Sequence, residues 1–321
     1  MATLVTGASG FIGFKLTEML IQEGVSVIGF DNFISENLSR LQAGTDKLEI
    51  AKGDVSLLPE VMNVVKGRSI DTIFHLAART SVPSEENPWL TYRSNVEGTY
   101  NIFETARLFD VKKVIFTSSI ASYGLSLPKV VTDETIQRPV LWYGVTKLFG
   151  ELQGRFYERK FGIDFRGIRY CQVLGPGVTA PGVSQCIPWM IEAAAQNRAF
   201  KVWLREDDVM PLVYYKDAVK CLYLLSVAPK ERVKTQIYNV GSILPVPTIG
   251  ELADAVKKYV PAADITFEPD PAIGEFIKAL PKMFDDRPLR EEIGYKPEYG
   301  LEATVKSFVD EVRDKMAPKR T

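Results

Sequence analysis

The amino-acid sequence predicts an α/β protein in which a doubly wound parallel sheet is followed by a smaller α+β lobe. Over about the first 170 residues, short apolar runs rich in β-branched residues alternate with longer amphipathic stretches. Runs such as Val114-Ile115-Phe116 are apolar throughout, which is typical of strands covered on both faces. Gly175–Gly182, rich in glycine and proline, then marks a change of composition and the start of the lobe.

Each predicted element follows from its local pattern. The predicted strands of the sheet are Ala2–Thr6, Val25–Phe30, Leu48–Lys52, Thr72–Leu76, Val114–Ser118 and Asp164–Arg169. The helices between them are Ile12–Glu23, Leu57–Val65, Trp89–Phe109 and Tyr143–Phe161. The second half has a strand at Thr235–Val240 and helices at Ile187–Gln196, after Thr248, and at Leu301–Lys315. We expect residues 1–172 to form the first domain, with elements near 212–245 returning to it, and residues 173–211 and 246–321 to form the lobe.

Composition excludes several classes of protein. With 46% hydrophobic residues among 321, disorder is excluded as the main state. Lys plus Arg number 39 against 40 for Asp plus Glu, so the basic excess of a nucleic-acid binder is missing. A single histidine and three scattered cysteines suit neither a metal cluster nor a disulfide framework. Without a leader pattern or an apolar run of about 20 residues, we expect a soluble, cytoplasmic protein with no membrane partner and no metal.

A glycine-rich loop follows the first predicted strand. Thr6–Gly13 has glycines at positions 7, 10 and 13 and leads directly into a predicted helix. Glycines at this spacing permit a tight turn, close approach of backbone to a pyrophosphate, and close packing of helix on strand. The helix N-terminus adds partial positive charge. Glycine turns are common in loops, but the strand before and the helix after favour a Rossmann-type dinucleotide site.

The second predicted strand leads to Asp31, 18 residues after Gly13. A carboxylate at this place can accept hydrogen bonds from both ribose hydroxyls, and it would repel a 2′-phosphate. The position therefore favours NAD over NADP, although a solvent-exposed loop aspartate is the alternative interpretation. Asp54 and Val55 follow the third strand and are placed to meet the adenine.

Three side chains could carry chemistry. Tyr143 and Lys147 are four residues apart at a helix start, so both project from one face. A lysine ammonium would lower the pKa of the tyrosine towards neutrality, allowing it to remove a proton from an alcohol as hydride leaves for NAD. Ser119 ends the fifth strand, where ligands of parallel sheets bind. Each signal is weak by itself, because such spacings and strand-end hydroxyls are common.

Taken in order, these motifs resemble the extended short-chain dehydrogenase/reductase superfamily, which includes NAD-dependent epimerases and dehydratases. The matching segments are Thr6–Gly13, Asp31, Asp54-Val55, His75–Ala78, Asn95, Ser118–Gly124 and Tyr143–Lys147. The resemblance implies catalytic roles for Ser119, Tyr143 and Lys147, with Ser119 preferred to Ser118 because it stands five residues before Gly124. It also implies a homodimer formed by the helices at Trp89–Phe109 and Tyr143–Phe161. The implied NAD contacts are Gly7, Gly10, Phe11, Ile12, Gly13, Asp31, Asp54, Val55, Leu76, Ala77, Ala78, Asn95, Tyr143 and Lys147.

The substrate is indicated by departures from the superfamily's pattern. Members acting on nucleotide sugars usually have an arginine where this chain has Met210, and Met210 cannot bind a diphosphate by charge-assisted hydrogen bonds. Met210–Leu212 and Pro281–Pro297 look more like the L-threonine 3-dehydrogenase branch. That resemblance makes Ser81 and Ser184 candidate substrate contacts beside Ser119 and Tyr143. Pro181–Gln185 departs from the glycine–threonine loop usual in that branch.

Three hypotheses follow. The first is an NAD-dependent dehydrogenase that oxidises a secondary alcohol of a small polar substrate, L-threonine or a similar hydroxy acid. The second is an epimerase or dehydratase that acts on a nucleotide sugar and recycles its NAD, so that no NADH is released. The third is a catalytically silent NAD-binding scaffold, which the presence of Ser119, Tyr143 and Lys147 disfavours. His75 lies inside an apolar run and is interpreted as a core residue.

Overall fold

The computed structural model describes residues 2–241 and 243–317, so the predicted domain limits at residues 1 and 321 lie outside the described residues. Its strands are β1 (Ala2–Thr6), β2 (Ser26–Asp31), β3 (Leu48–Lys52), β4 (Ile70–His75), β5 (Lys113–Ser119), β6 (Val130–Val131), β7 (Asp164–Tyr170), β8 (Gln172–Leu174), β9 (Phe200–Val202), β10 (Leu212–Tyr214), β11 (Ile237–Asn239), β12 (Ile265–Phe267) and β13 (Met283–Phe284).

The helices include a long central one that carries two of the predicted site residues. They are α1 (Phe11–Gln22), α2 (Glu36–Ala43), α3 (Leu58–Val65), α4 (Ser81–Glu86), α5 (Pro88–Thr91), α6 (Gly98–Leu108), α7 (Trp142–Phe161), α8 (Cys186–Ala195), α9 (Tyr215–Val227), α10 (Ile249–Tyr259), α11 (Pro271–Ala279), α12 (Arg287–Ile293) and α13 (Leu301–Met316). In the described part of the chain, none is long and apolar enough to cross a membrane.

The central sheet has seven strands in the order β11-β7-β5-β4-β1-β2-β3, and every neighbouring pair is parallel. The α/β doubly wound class predicted from the sequence is confirmed. Chain order reverses at β1, which pairs with β2 on one side and β4 on the other. In open parallel sheets ligands bind beyond the carboxyl ends of the strands at such a reversal.

Helices cover both faces of this sheet, which explains why its strands are apolar throughout. Val114 and Ile115 are completely buried, and they belong to clusters on opposite faces. The Ile115 cluster includes side chains of α1 and α9, and the Val114 cluster includes side chains of α3 and α6. The sheet is therefore held rigidly in the middle of three layers.

The second half of the chain forms a further core and also returns to the sheet. Side chains of α8, α10 and α13 form this core together with β10. Three short parallel pairs, β8 with β10, β9 with β12 and β6 with β13, lie outside the central sheet. β11 joins the edge of the central sheet beside β7. The chain therefore passes between the central sheet and this further core more than once.

One predicted helix is interrupted. The continuous helix expected at Trp89–Phe109 consists of α5, a π-helical segment at Tyr92–Glu97, and α6. Asn95 lies in the π-helical segment, where its Oδ1 accepts from the Arg79 backbone N–H at 2.8 Å and its Nδ2 donates to the Arg79 carbonyl at 2.9 Å. Periodicity cannot reveal one wide turn, and such turns are frequent at functional sites.

Candidate active site

The glycine loop between β1 and α1 is a cradle made of backbone. Gly7 has φ of +72°, and a Cβ there would lie 2.8 Å from the Ala77 nitrogen. A Cβ on Gly13 would lie 2.0 Å from the Gly7 carbonyl oxygen, which no side chain can tolerate. Gly10 precedes α1, and no described side chain caps the first turn of that helix. The free N–H groups of the turn are therefore available to an anion.

Asp31 stands beside this loop at the end of β2. Its carboxylate accepts hydrogen bonds from the backbone N–H groups of Ser9 at 3.0 Å and Phe33 at 3.1 Å. Burial raises its pKa, and these two hydrogen bonds oppose the rise. Asp54 follows β3, and Val55 packs against Gly98, where a Cβ would lie 2.7 Å from Val55 Cγ2.

The structure brings Ser119, Tyr143 and Lys147 together. Ser119 is the last residue of β5, and Tyr143 lies in the first turn of α7. Both line the same cavity, and Ser119 is close enough to lower the pKa of Tyr143. Lys147 lies one turn further along α7, with its Nζ 5.6 Å from the centre of the Tyr143 ring. That Nζ donates to the Thr117 carbonyl at 2.7 Å. The lysine is thereby fixed between the helix and the strand.

Burial determines the proton affinities of this trio. It raises the pKa of Tyr143 to about 12, against the opposing effect of the nearby Ser119 side chain. It lowers the pKa of Lys147 to about 7, and the negative charge of Glu151 opposes that change. Burial of the phenolate sets the direction of this Tyr143 shift, and the lowering of its pKa by Lys147 stays a prediction.

A buried ion pair lies directly behind the trio. Glu151, one turn after Lys147, accepts from Arg169 Nε at 2.9 Å and Arg169 Nη2 at 2.7 Å. Both residues are 1% exposed. Ser118 Oγ and Gln137 Nε2 also donate to the same carboxylate. The local sequence does not reveal this cluster, although the spacing of Tyr143, Lys147 and Glu151 places all three on one helix face.

A cavity of about 420 Å³, within the usual size range of ligand sites, opens at the carboxyl ends of the strands. Twelve of the predicted site residues line it, and five others do not. Those that line it are Gly7, Gly10, Phe11, Ile12, Gly13, Leu76, Ala78, Ser81, Ser119, Tyr143, Lys147 and Ser184. Those outside its wall are Asp31, Asp54, Val55, Ala77 and Asn95.

The second half of the chain closes the cavity with a mostly apolar wall. Met210 is joined there by Pro281 and by three residues that no sequence motif indicated, namely Phe276, Ile277 and Leu280. The signal for these was the Asp270-Pro271 start of α11, where Asp270 caps the helix. Among the described residues lining the cavity, Lys147 is the single charged one.

Polar side chains on this wall are bonded to one another. Ser184 Oγ donates to Gln172 Oε1 at 2.6 Å, and Gln172 Nε2 donates to Gln185 Oε1 at 3.0 Å. Gln185 Nε2 in turn donates to the Ala180 carbonyl at 2.8 Å. Ser184 therefore faces the cavity with its hydrogen already donated.

His75 is a core residue, 1% exposed at the end of β4. Its Nδ1 is 2.8 Å from Thr6 Oγ1 and its Nε2 is 3.0 Å from Thr99 Oγ1. Burial lowers its pKa to about 3, with a smaller contribution from the charge of Lys147. The ring is therefore neutral and bridges β1 to α6.

The family model described as the NAD dependent epimerase/dehydratase family matches residues 3–241. The chain belongs to this family. The predicted resemblance to extended short-chain dehydrogenases/reductases is thereby confirmed, and the protein is an enzyme with NAD as its cofactor.

Relatives of the epimerase/dehydratase family align along nearly the whole chain. An uncharacterised epimerase/dehydratase of Staphylococcus haemolyticus is 29% identical over 322 residues, covering 97% of this chain and 98% of that protein. The mitochondrial L-threonine 3-dehydrogenase of Bos taurus is 27% identical over 318 residues, covering 96% and 81%. The solved L-threonine dehydrogenase of Clostridium difficile is 29% identical with a TM-score of 0.88 and 98% coverage of each chain.

The residues present fit NAD. The glycine loop leaves no room for a side chain where a pyrophosphate would approach, and the first turn of α1 is uncapped. Asp31 is held by the loop's own Ser9 amide, which places a carboxylate beside the same cradle. The backbone N–H groups of the loop can donate to the pyrophosphate of a dinucleotide, and the Asp31 carboxylate can accept from its free ribose diol.

Proposed function

We propose that this enzyme oxidises a secondary alcohol of a small polar substrate, L-threonine or a similar hydroxy acid, in an NAD-dependent reaction. The observation that carries the proposal is that Ser119, Tyr143 and Lys147 line one cavity, with Lys147 Nζ 5.6 Å from the centre of the Tyr143 ring. A hydroxyl pair opening onto a cavity can hold the oxygen of an alcohol between them.

In this proposal each side chain has one task. Tyr143 removes the proton of the substrate hydroxyl, and Ser119 donates a hydrogen bond to the reacting oxygen. Lys147, anchored on the Thr117 carbonyl, stabilises the phenolate of Tyr143 and contacts the cofactor. Bound NAD supplies the hydride acceptor. The cofactor contacts are Gly7, Gly10, Phe11, Ile12, Gly13, Asp31, Asp54, Val55, Leu76, Ala77, Ala78, Asn95, Tyr143 and Lys147.

The cavity wall favours a small substrate over a nucleotide sugar. Met210 is 4% exposed and lies among apolar residues of this wall, so it supplies no hydrogen bond to a diphosphate. Transfer of a doubly charged diphosphate to such a surface is costly, because each charge loses its hydration without gaining a partner. The named L-threonine dehydrogenases of Bos taurus and Clostridium difficile support the same choice.

Two polar side chains are proposed as substrate contacts beside Ser119 and Tyr143. Ser81 begins α4 and lines the cavity, and Ser184 faces it from the opposite wall. We propose that residues 173–211 and 246–321 form the substrate lobe, since Ser184, Met210 and the α11 residues all reach the cavity from it.

The alternative is an epimerase or dehydratase that returns the hydride within one turnover. The name given to the Staphylococcus haemolyticus relative supports it. The two outcomes differ in net NADH.

The test is NADH absorbance after the purified protein is mixed with NAD and L-threonine. Sustained production that is absent in Tyr143→Phe supports the dehydrogenase and its base. No NADH with L-threonine or with other short hydroxy acids, together with epimerised product from a nucleotide sugar, would establish the alternative instead.

We also propose a cytoplasmic homodimer. On α6 and α7, large apolar side chains point to solvent, among them Leu108, Phe149 and Leu152, which is 58% exposed. A second copy of the chain would bury these side chains, since large exposed apolar surfaces mark sites of protein–protein interaction. The three cysteines are free and buried, which suits a reducing compartment.

A further inference from the structure

The catalytic geometry depends on how the end of β5 is joined to α7, and that junction is polar and buried. Ser118 and Glu151 connect the two elements through a hydrogen bond between Ser118 Oγ and Glu151 Oε1. Ser118 directly precedes Ser119, and Glu151 lies one turn after Lys147. Any displacement of this hydrogen bond would therefore move Ser119 relative to Tyr143.

We propose that Glu151 is a positioning residue for the reaction, which holds Ser119 and Lys147 in the places from which both act on Tyr143. This inference rests on the proposed function, because it assigns Glu151 its effect through the proposed base. Glu151 is 1% exposed and is not part of the cavity wall, so it acts through the residues that it holds.

The charge of Glu151 matters as much as its hydrogen bonds. Arg169 and Lys147 are both buried cations, 1% and 4% exposed. Glu151 forms an ion pair with Arg169, and its negative charge also raises the pKa of Lys147 against the effect of burial. Arginine cannot lose its proton in proteins, whereas a buried lysine can. If the carboxylate were removed, Arg169 would therefore keep its charge, and Lys147 would lose its proton and become a neutral amine.

The other groups near Lys147 do not replace this carboxylate. β5 offers it the Thr117 carbonyl, and β4 offers the neutral ring of His75. The titratable and charged groups around it are Tyr143 and Glu151 on α7, His75 on β4, Arg169 on β7, and Tyr123, Tyr170 and Cys171 nearby. Among these described neighbours Glu151 is the single carboxylic acid, and its negative charge favours the ammonium form of Lys147.

The test is the pH at which the Tyr143 phenolate forms in the NAD-loaded protein. Ultraviolet difference absorbance between each protein and its own Tyr143→Phe counterpart isolates this tyrosine from the 13 in the chain. In Glu151→Gln we expect the phenolate to appear about one pH unit or more higher than in the parent, because Ser119, which lowers the pKa of Tyr143, is no longer held in place through Ser118. This readout needs no substrate, so it stands even if the alcohol assay fails.

A matched control lies on the same strand. Asp164 and Arg166 on β7 form a two-pronged pair like that of Glu151 and Arg169, with Arg166 also 1% exposed. Asp164→Asn should lower stability without moving the phenolate midpoint. A purely structural role for Glu151 would give the same result in Glu151→Gln.

Two outcomes overturn the proposal. One is a folded Glu151→Gln protein whose phenolate midpoint is unchanged or lower. If that variant does not fold because Arg169 is left unpaired, the double variant Glu151→Gln/Arg169→Gln removes both charges, and an unchanged midpoint there is the second such outcome. A raised midpoint in either variant supports the proposal.

Discussion

Ser118 and Ser119, adjacent at the end of β5, face two different residues of α7. Ser118 donates into the buried carboxylate of Glu151, whereas Ser119 accepts from the Ala121 backbone N–H at 3.2 Å and lines the cavity with Tyr143. Successive side chains of a strand alternate between its faces, so one serine anchors the strand end and the other is presented to a ligand.

Replacing Tyr143 with phenylalanine removes the proposed base and keeps the ring. We expect turnover to fall by about 10²–10⁴-fold while the dissociation constant of NAD changes little. Steady-state NADH production and a cofactor titration measure the two effects. Tyr223→Phe is the control, because its hydroxyl bonds Glu23 at 3.1 Å on an exposed surface. Equal losses in both variants would contradict the assignment.

Lys147 is destabilising to the fold at neutral pH. Burial lowers its pKa from 10.5 to about 7. Below pH 7 the native state therefore carries a buried ammonium, which lowers the free energy of unfolding. Between about pH 7 and 10.5 the unfolded chain binds more protons than the native one, and stability rises with pH. We expect Lys147→Met to raise Tm by a few degrees near pH 7 and by less near pH 10.

Thermal unfolding across this pH range measures the difference between wild type and Lys147→Met. The exposed Lys201, which pairs with Glu268 at the surface, supplies the control Lys201→Met. If the gain in Tm of Lys147→Met stayed constant between neutral and alkaline pH, the pKa of Lys147 would not be lowered by burial.

His75 should remain neutral in the folded protein down to about pH 3. Below pH 6.5 the unfolded chain takes up a proton at this residue and the native chain does not, so stability is lost as the pH falls from 6.5 towards 3. Since the chain has one histidine, its imidazole resonance is unambiguous in an NMR titration. Urea-unfolded protein is the reference, and protonation near pH 6.5 in the folded state would refute the prediction.

Asp31 should determine the choice of cofactor. In Asp31→Ser the acceptor for the ribose diol is weakened and the repulsion of a 2′-phosphate disappears. We expect the affinity for NAD to fall by roughly tenfold and the ratio of NADP to NAD affinity to rise. Fluorescence titration with both cofactors measures this ratio, with the exposed Asp46→Ser as control. An unchanged ratio would remove Asp31 from the cofactor site.

Leu152→Arg should separate the proposed homodimer. An arginine at this exposed position of α7 would have to be buried against a second copy, which costs several kcal/mol without a partner charge. Size-exclusion chromatography with light scattering should show a dimer for the wild type and a monomer for the variant. Val227→Arg, 57% exposed at the end of α9, should remain dimeric. A monomeric wild type would end the proposal.

Local sequence predicts much of this fold. The strand Ala2–Thr6 has the same limits in sequence and structure, and the helix predicted at Tyr143–Phe161 is α7 with one more residue. Both elements can be predicted because hydrophobic periodicity and a glycine loop are properties of residues that are close in sequence. For the same reason the positions of Gly7 and Gly13 in a backbone cradle could be predicted.

Features made by distant segments could not be predicted in this way. Glu151 and Arg169 meet because α7 packs on β7, and the pattern of neither segment indicates its partner. The α11 part of the cavity wall belongs to a separate core. The direction of the Tyr143 pKa shift depends on how completely the ring is desolvated, which residue spacing cannot report.

The chain of hydrogen bonds from Ser184 through Gln172 to Gln185 has a consequence for ligand selection. A ligand group that donates finds free lone pairs on Ser184 Oγ and on both amide oxygens. A ligand group that needs the hydrogen of Ser184 must first displace Gln172, so that contact exchanges one hydrogen bond for another. This wall therefore favours ligand groups that donate hydrogen bonds over groups that only accept them.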